Sequence, residues 1–150
     1  MALNRALIGR EYPAPEVYEV GREHVRSFAR AIGDPSPACV DPAAARALGH
    51  ADVVAPPTFP IVVTMAANGQ IMRDPGLGMD YTRVVHGDQK FSYVRPVVAG
   101  DTLVCVSTVE EITQRGGHDF ITTRADVTTQ DGEPLLTAWM KLVQRGEEKS

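Results

Sequence analysis

The chain has 150 residues, a mass of 16.2 kDa, 43% hydrophobic and 23% charged residues, and a formal net charge of −4. That length fits one domain, residues 1–150, with a full-sized core. The acidic balance and the lack of a basic cluster argue against nucleic acid or an anionic membrane surface as a partner. No apolar run reaches membrane-spanning length.

The first residues, MALNRALIGREY, lack the hydrophobic core of a signal peptide. The two cysteines, Cys39 and Cys105, are far apart and form no CxxC pair. A reduced cytoplasmic protein with no metal site and no cofactor is expected. The tail Arg145–Ser150 reads as a solvated end.

Val25, Phe28, Ala29 and Ile32 recur at helical spacing, which predicts an amphipathic helix over Arg22–Ile32 with Gly33 as its stop. Asp41-Pro42 offers an N-cap followed by proline at the first helical position, and the alanine-rich run Pro42–Leu48 then ends at Gly49. Thr58 is placed to cap a third helix reaching Gly69. Its Ile61, Val62, Val63, Met65, Ala66 and Ala67 leave almost no polar face, as in a buried helix. The β-branched residues would equally suit a strand by propensity, and the cap and the length favour helix.

After a loop at Arg73–Asp80 come four alternating segments: Gln89–Val94, Thr102–Thr113, Phe120–Thr129 and Leu135–Arg145. Turn residues separate them at Pro96 with Ala99-Gly100-Asp101, at Arg115-Gly116-Gly117 and at Gln130-Asp131-Gly132. Long antiparallel strands joined by short turns make a curved sheet whose inner face must be covered. The Thr58–Gly69 helix is the only element apolar enough to cover it. An α+β hotdog fold is therefore expected, a sheet wrapped around a long central helix, with the earlier helices overhanging it.

The segment GDPSPACVDPAAARALG, from Gly33, resembles the (R)-specific enoyl hydratase motif of MaoC-like hotdog proteins, Gly-Asp-x-Asn-Pro-x-His-x-Asp. The run RVVHGDQKFSYVRPVVAGD resembles the His-Gly-x-Gln signature of the substrate-binding half of double-hotdog hydratases. With APPTF before the central helix, the three motifs are similar to the HadA-type subunit of actinobacterial (R)-3-hydroxyacyl-ACP dehydratases. The resemblance runs from Ile8 to Val143. In active members, the Asp and His of the motif position water and exchange protons, and a glycine N–H near the start of the central helix polarises the thioester carbonyl. A helix N-terminus suits that task because its free N–H groups face the developing charge.

Here Asp34 is kept, but Cys39 stands at the histidine position and Pro57 at the glycine position. A thiol has no second nitrogen with which to orient water, and proline has no N–H. The degenerate catalytic set is thus Asp34, Cys39 and, as a remaining candidate, His86. For Asp34 a turn-capping role stands beside the functional one. For Cys39 the plain alternative is a small core residue. For His86 it is a histidine satisfied by backbone at the kink where a strand begins, with Gly87 and Asp88 beside it fitting a bulge or bend. Candidate substrate-binding residues are Pro57, Thr58, Phe59, Val62, Gln89 and Arg95. The arginine is a possible contact for phosphate of a carrier arm, and Gln89 a polar group at a dimer seam. His24 on the exposed side of the first helix, and His50 and His118 in loops, show no evident partner.

The resemblance implies a substrate-binding, non-catalytic subunit of a 3-hydroxyacyl-thioester dehydratase. Its ligand would be an acyl thioester of acyl-carrier protein or CoA. A hotdog sheet leaves edge strands to be paired, so a homodimer is expected alone and a heterodimer with a catalytic MaoC-like partner. Two alternatives are a self-sufficient homodimeric hydratase using Asp34 with His86 or another group, and a hotdog thioesterase. The thioesterase ranks last because Thr58–Gln70 holds no Asp or Glu.

Overall fold

Residues 2–147 are described by a computed structural model of the chain, so the part of the expected tail at 148–150 lies outside the described residues. Six strands and three α-helices follow in order: β1 Glu11–Pro13, β2 Tyr18–Glu19, α1 Arg22–Ile32, α2 Pro42–Ala47, α3 Ile61–Arg73, β3 Val84–Tyr93, β4 Thr102–Arg115, β5 His118–Thr129 and β6 Pro134–Gln144. All strand pairs are antiparallel, in the order β1-β4-β5-β6-β3, with β2 also on β4. The sheet curves around α3 as the hotdog pattern requires.

Local chemistry sets the helix ends. Gly33 takes φ 71°, the left-handed conformation that glycine adopts without a Cβ penalty, and closes α1 with its N–H on the last carbonyls. Val25 and Ala29 of α1 are buried, while Ile32 at its end is half exposed rather than part of the packed face. Asp41 caps α2 as expected, its carboxylate accepting from the Ala43 N–H at 2.9 Å. At α3 the cap differs. Pro60 is the N-cap residue, with no side-chain cap, because Thr58 and Phe59 sit in a preceding turn whose carbonyls accept from Ile61 and Val62. The helix also runs one turn beyond Gly69, to Arg73.

α3 is not buried all round. Val63, Thr64, Ala67, Asn68 and Ile71 face inward, while Met65 and Ala66 are exposed. Its far end is held to β1, where the Tyr12 hydroxyl donates to Asp74 at 2.7 Å. Burial, and then that hydrogen bond, push the Tyr12 phenol up to about 12.

The four long strands are present, with shifted ends. β3 begins five residues before the expected Gln89, because the bulge expected at Gly87 and Asp88 lies within the strand rather than at its start. A Cβ at Gly87 would meet Val143 Cγ2 at 3.1 Å, so the close approach there favours glycine. Further irregularities follow Val109 in β4 and Val127 in β5, and bulges of this kind deepen the curl of a sheet. Gly116 and Gly117, both at positive φ, make the two-residue hairpin turn between β4 and β5. The core divides into two apolar clusters. One gathers Phe59, Val63 and Ala67 over Cys105, Val127 and Leu136, and the other gathers Ile71 over Ile112, Ile121 and Leu142.

Candidate active site

The segment after α1 brings Asp34 and Cys39 together. The Asp34 N–H donates to Ala29 O at 2.9 Å, turning the chain out of the helix. One carboxylate oxygen accepts from the Ser36 N–H at 2.9 Å, so the turn-capping role expected of this aspartate is realised. A single 3₁₀ turn, Pro37–Cys39, then carries the Cys39 thiol to 3.9 Å from the other oxygen. The thiol is 4% exposed. Burial first, and then the negative charge of Asp34, push its pKa up, so it stays protonated at neutral pH. The pair is a carboxylate receiving a weak S–H bond, and the protonated thiol is no substitute for an imidazole that takes up and returns a proton.

Two contacts hold this overhang against the rest of the chain. Val54 N–H donates to Ala38 O at 2.9 Å, and the Arg26 guanidinium donates to Val40 O at 2.9 Å. Arg22 adds a two-pronged bridge to Asp52, with 2.7 Å at its shortest, and this holds the Asp52 carboxyl down at about 2.

At the start of α3, Pro57 and Thr58 are exposed and Phe59 is not. The Tyr93 hydroxyl donates to the Pro57 carbonyl oxygen. A trans peptide is planar, so the Thr58 N–H points to the opposite side from Tyr93. Phe59 is wholly buried, with Phe28 and His24 of α1 edge-on to its ring at 5.3 and 5.4 Å. It is therefore a rivet between α1 and α3, a packing role beside the ligand contact expected there. His24 is not without a partner either, since its Nδ1 hydrogen-bonds the Tyr18 hydroxyl. Val62 is half-buried and lines a cleft of about 150 Å³ with Ala14, Pro15, Val17, Tyr18 and Ala66.

The other candidates lie elsewhere. His86 is exposed on β3, opposite Leu142 of β6. Along β3 it stands seven residues from Tyr93, roughly 20 Å at strand rise, so one chain does not join it to the Tyr93–Pro57 contact. Gln89 also sits on β3, with its side-chain amide buried and without a hydrogen-bond partner. Arg95 is engaged internally rather than open to phosphate. It grips Asp101 through two bonds, at 2.9 and 3.0 Å, and Glu133 at 2.8 Å. His118 begins β5 rather than lying in a loop, and its Nδ1 accepts from the Gly146 N–H at 2.9 Å, so the described part of the tail is tied down. The Tyr18–His24–Phe59 cluster went unseen in the sequence because its members are 6 and 35 residues apart. Among the described residues no three His, Cys, Asp or Glu side chains gather as metal ligands, and no helix is long and apolar enough to cross a membrane.

Residues 6–138 match the family described as FAS1-like, dehydratase domain region. The chain belongs to that family. It is also 56% identical to a UPF0336 protein of Streptomyces griseus, over the full length of both. Among solved structures, its fold matches a chain of the HadBC (3R-hydroxyacyl-ACP dehydratase) complex of Mycobacterium tuberculosis. The TM-score is 0.84 and the identity 33%, over 91% of this chain and 96% of that one. A MaoC-like dehydratase matches with TM-score 0.87 and 34% identity, over 95% of this chain and 43% of the other. Asp34, Cys39 and Pro57 all lie within the stretch that matches this family.

Proposed function

We propose that this chain is the substrate-binding, non-catalytic subunit of an (R)-specific 3-hydroxyacyl-thioester dehydratase, working beside a catalytic hotdog partner. One observation carries the reading: the thiol at the motif's histidine position is buried, protonated and hydrogen-bonded to Asp34. Dehydration needs a base for the α-proton, an acid for the departing β-hydroxyl and a donor for the thioester oxygen. A protonated thiol replaces the imidazole in neither proton role, which leaves Asp34 alone of the motif's pair, and Pro57 has no N–H to offer the oxygen.

What the chain retains suits holding a ligand. The cleft beside Val62 is mainly apolar, with Glu16 the one charged residue on its wall, and the overhang is fixed over the start of α3 by Phe59. The edge strand β3 bears exposed Val85 and Tyr93, with exposed Val94 just after it, as a surface awaiting cover would. The similar M. tuberculosis structure is a complex of dehydratase subunits, which supports a divided enzyme here. The acyl thioester, of acyl-carrier protein or CoA, would enter from the side of Pro57 and Thr58.

The test is hydration of crotonyl-CoA by the chain alone, by the chain mixed with a MaoC-like subunit carrying an intact Asp/His pair, and by Cys39→His alone. The expected result is turnover in the mixture only, with a stable complex in ultracentrifugation. Turnover by the unaltered chain alone, at the rate of an active hydratase, would overturn the proposal.

A further inference from the structure

The two apolar clusters of the core meet across a band of polar side chains. On α3, Thr64 and Asn68 lie one turn apart and both face the sheet, at 0% and 1% exposure. Opposite them, Val109, Thr123, Met140 and Gln89 stand in register across β4, β5, β6 and β3. The Asn68 amide N–H reaches the Met140 sulfur at 3.9 Å, which places Asn68 over this row between Thr123 and Gln89. In the neighbouring row Ser107 has only the Cys105 thiol beside its hydroxyl.

Thr64 Oγ1, Asn68 Oδ1, Thr123 Oγ1 and both amide atoms of Gln89 are buried with no hydrogen-bond partner in the protein. An isolated orphan of this kind is costly, and buried polar groups in native proteins are almost always satisfied. Here the orphans come from α3 and from the sheet it packs on, with Asn68 over the row that holds Thr123 and Gln89. No ionisable side chain is among them, so a charged ligand has nothing to neutralise it. Hydroxyls and amides together offer both donors and acceptors. A hydroxyl group, which both gives and takes a hydrogen bond, matches that set.

We propose that this band is a buried hydroxyl-binding site, filled either by ordered water or by the hydroxyl of a ligand whose chain passes between α3 and the sheet. The second source rests on the acyl-thioester reading above, and the first does not. A site of this kind lets the interior accept a chain carrying a polar substituent at that depth, and disfavours a plain alkyl chain there.

The experiment has three arms on the full chain. A high-resolution crystal structure of the free protein is searched for oxygen density bonded to Thr64 Oγ1, Asn68 Oδ1 and Thr123 Oγ1. Thermal unfolding compares the wild type with the near-isosteric Thr64→Val and Thr123→Val. Binding compares an acyl-CoA hydroxylated part-way along the chain with the saturated acyl-CoA of the same length, because a 3-hydroxyl lies beside the thioester and not at the depth of Thr64 and Asn68. Water as the occupant gives bonded density in the free crystal, a Tm lowered by a few degrees in both variants, and equal binding of the two thioesters. A ligand hydroxyl gives a preference of about tenfold for the hydroxylated thioester, lost in both variants. Absence of density, together with an unchanged or raised Tm and equal binding, overturns the proposal. Failure of every thioester to bind counts against the functional reading and leaves density and Tm to decide this site.

Discussion

The Tyr93 hydroxyl donates to the carbonyl oxygen of Pro57, fastening the end of the edge strand β3 to the turn that opens α3. Residues 36 positions apart are thereby fixed at the place where the resemblance puts an oxyanion donor. The bond sets the orientation of the Pro57–Thr58 peptide but cannot restore the N–H that proline lacks. Tyr93→Phe keeps the ring and removes the bond. It is expected to cost about 1 kcal/mol, a Tm fall of roughly 2–4 °C for a domain of this size, readable by calorimetry. An unchanged Tm would show that the contact holds nothing.

Phe59 gives a sharper test of what was expected to be a ligand contact. Its ring is fully buried between α1 and α3. Phe59→Ala should destabilise the fold by roughly 3–5 kcal/mol, as truncation of a buried aromatic does. Phe59→Leu should lose less stability and leave acyl-thioester affinity unchanged. A selective loss of affinity with full stability would return the residue to the ligand site.

Acid should loosen the overhang in a defined window. Arg22, with help from the Val53 N–H, lowers the Asp52 carboxyl from 3.8 to about 2. A folded pKa below the unfolded one means the stabilisation is fully present above 3.8 and is lost as pH falls through about 2. Arg22→Ala removes most of it. The stability gap between wild type and variant, from urea unfolding, should be flat above about pH 5 and should narrow between about pH 4 and 2. A gap of constant size through that range would contradict the linkage. Because Arg22 is half exposed, added salt should shrink the gap at neutral pH.

Both cysteines should resist alkylation in the native state. Cys39 and Cys105 are buried, and burial pushes the Cys105 thiol up to about 12 and the Cys39 thiol up as well. Iodoacetamide at pH 8 is expected to leave the folded chain unlabelled and to modify two sites in urea. Rapid native labelling at Cys39 would mean an accessible thiolate, and the proposed division of labour would lose its main support.

Much of this architecture was legible because the signals were local. Gly33 and Asp41-Pro42 mark helix ends through their own backbone chemistry, and alternation marked the three central strands. β1 and β2 escaped because three and two residues carry no period, and only pairing with β4 makes them strands. His86-Gly87-Asp88 read as a boundary because a bulge and a turn draw on the same residues. The turn cap at Asp34 and the burial of Cys39 could be read because turn chemistry and side-chain size act locally, whereas the contact between them was not among the expectations. Arg95 could not, since Asp101 and Glu133 come to it from 6 and 38 positions away. Burial of Phe59 was likewise hidden, because it depends on where α1 comes to rest.

The ten residues of β3 form one rim of the sheet, with unpaired backbone groups along that side. Such a rim recruits any strand that reaches it, whether a proper mate or another stray copy. Asp88 and Lys90, both exposed, put charge beside it and slow wrongful stacking. On the reading proposed above, excess of this polypeptide over the partner that covers β3 would carry a cost in misassembly, and matched dosage would follow from the shape of the sheet.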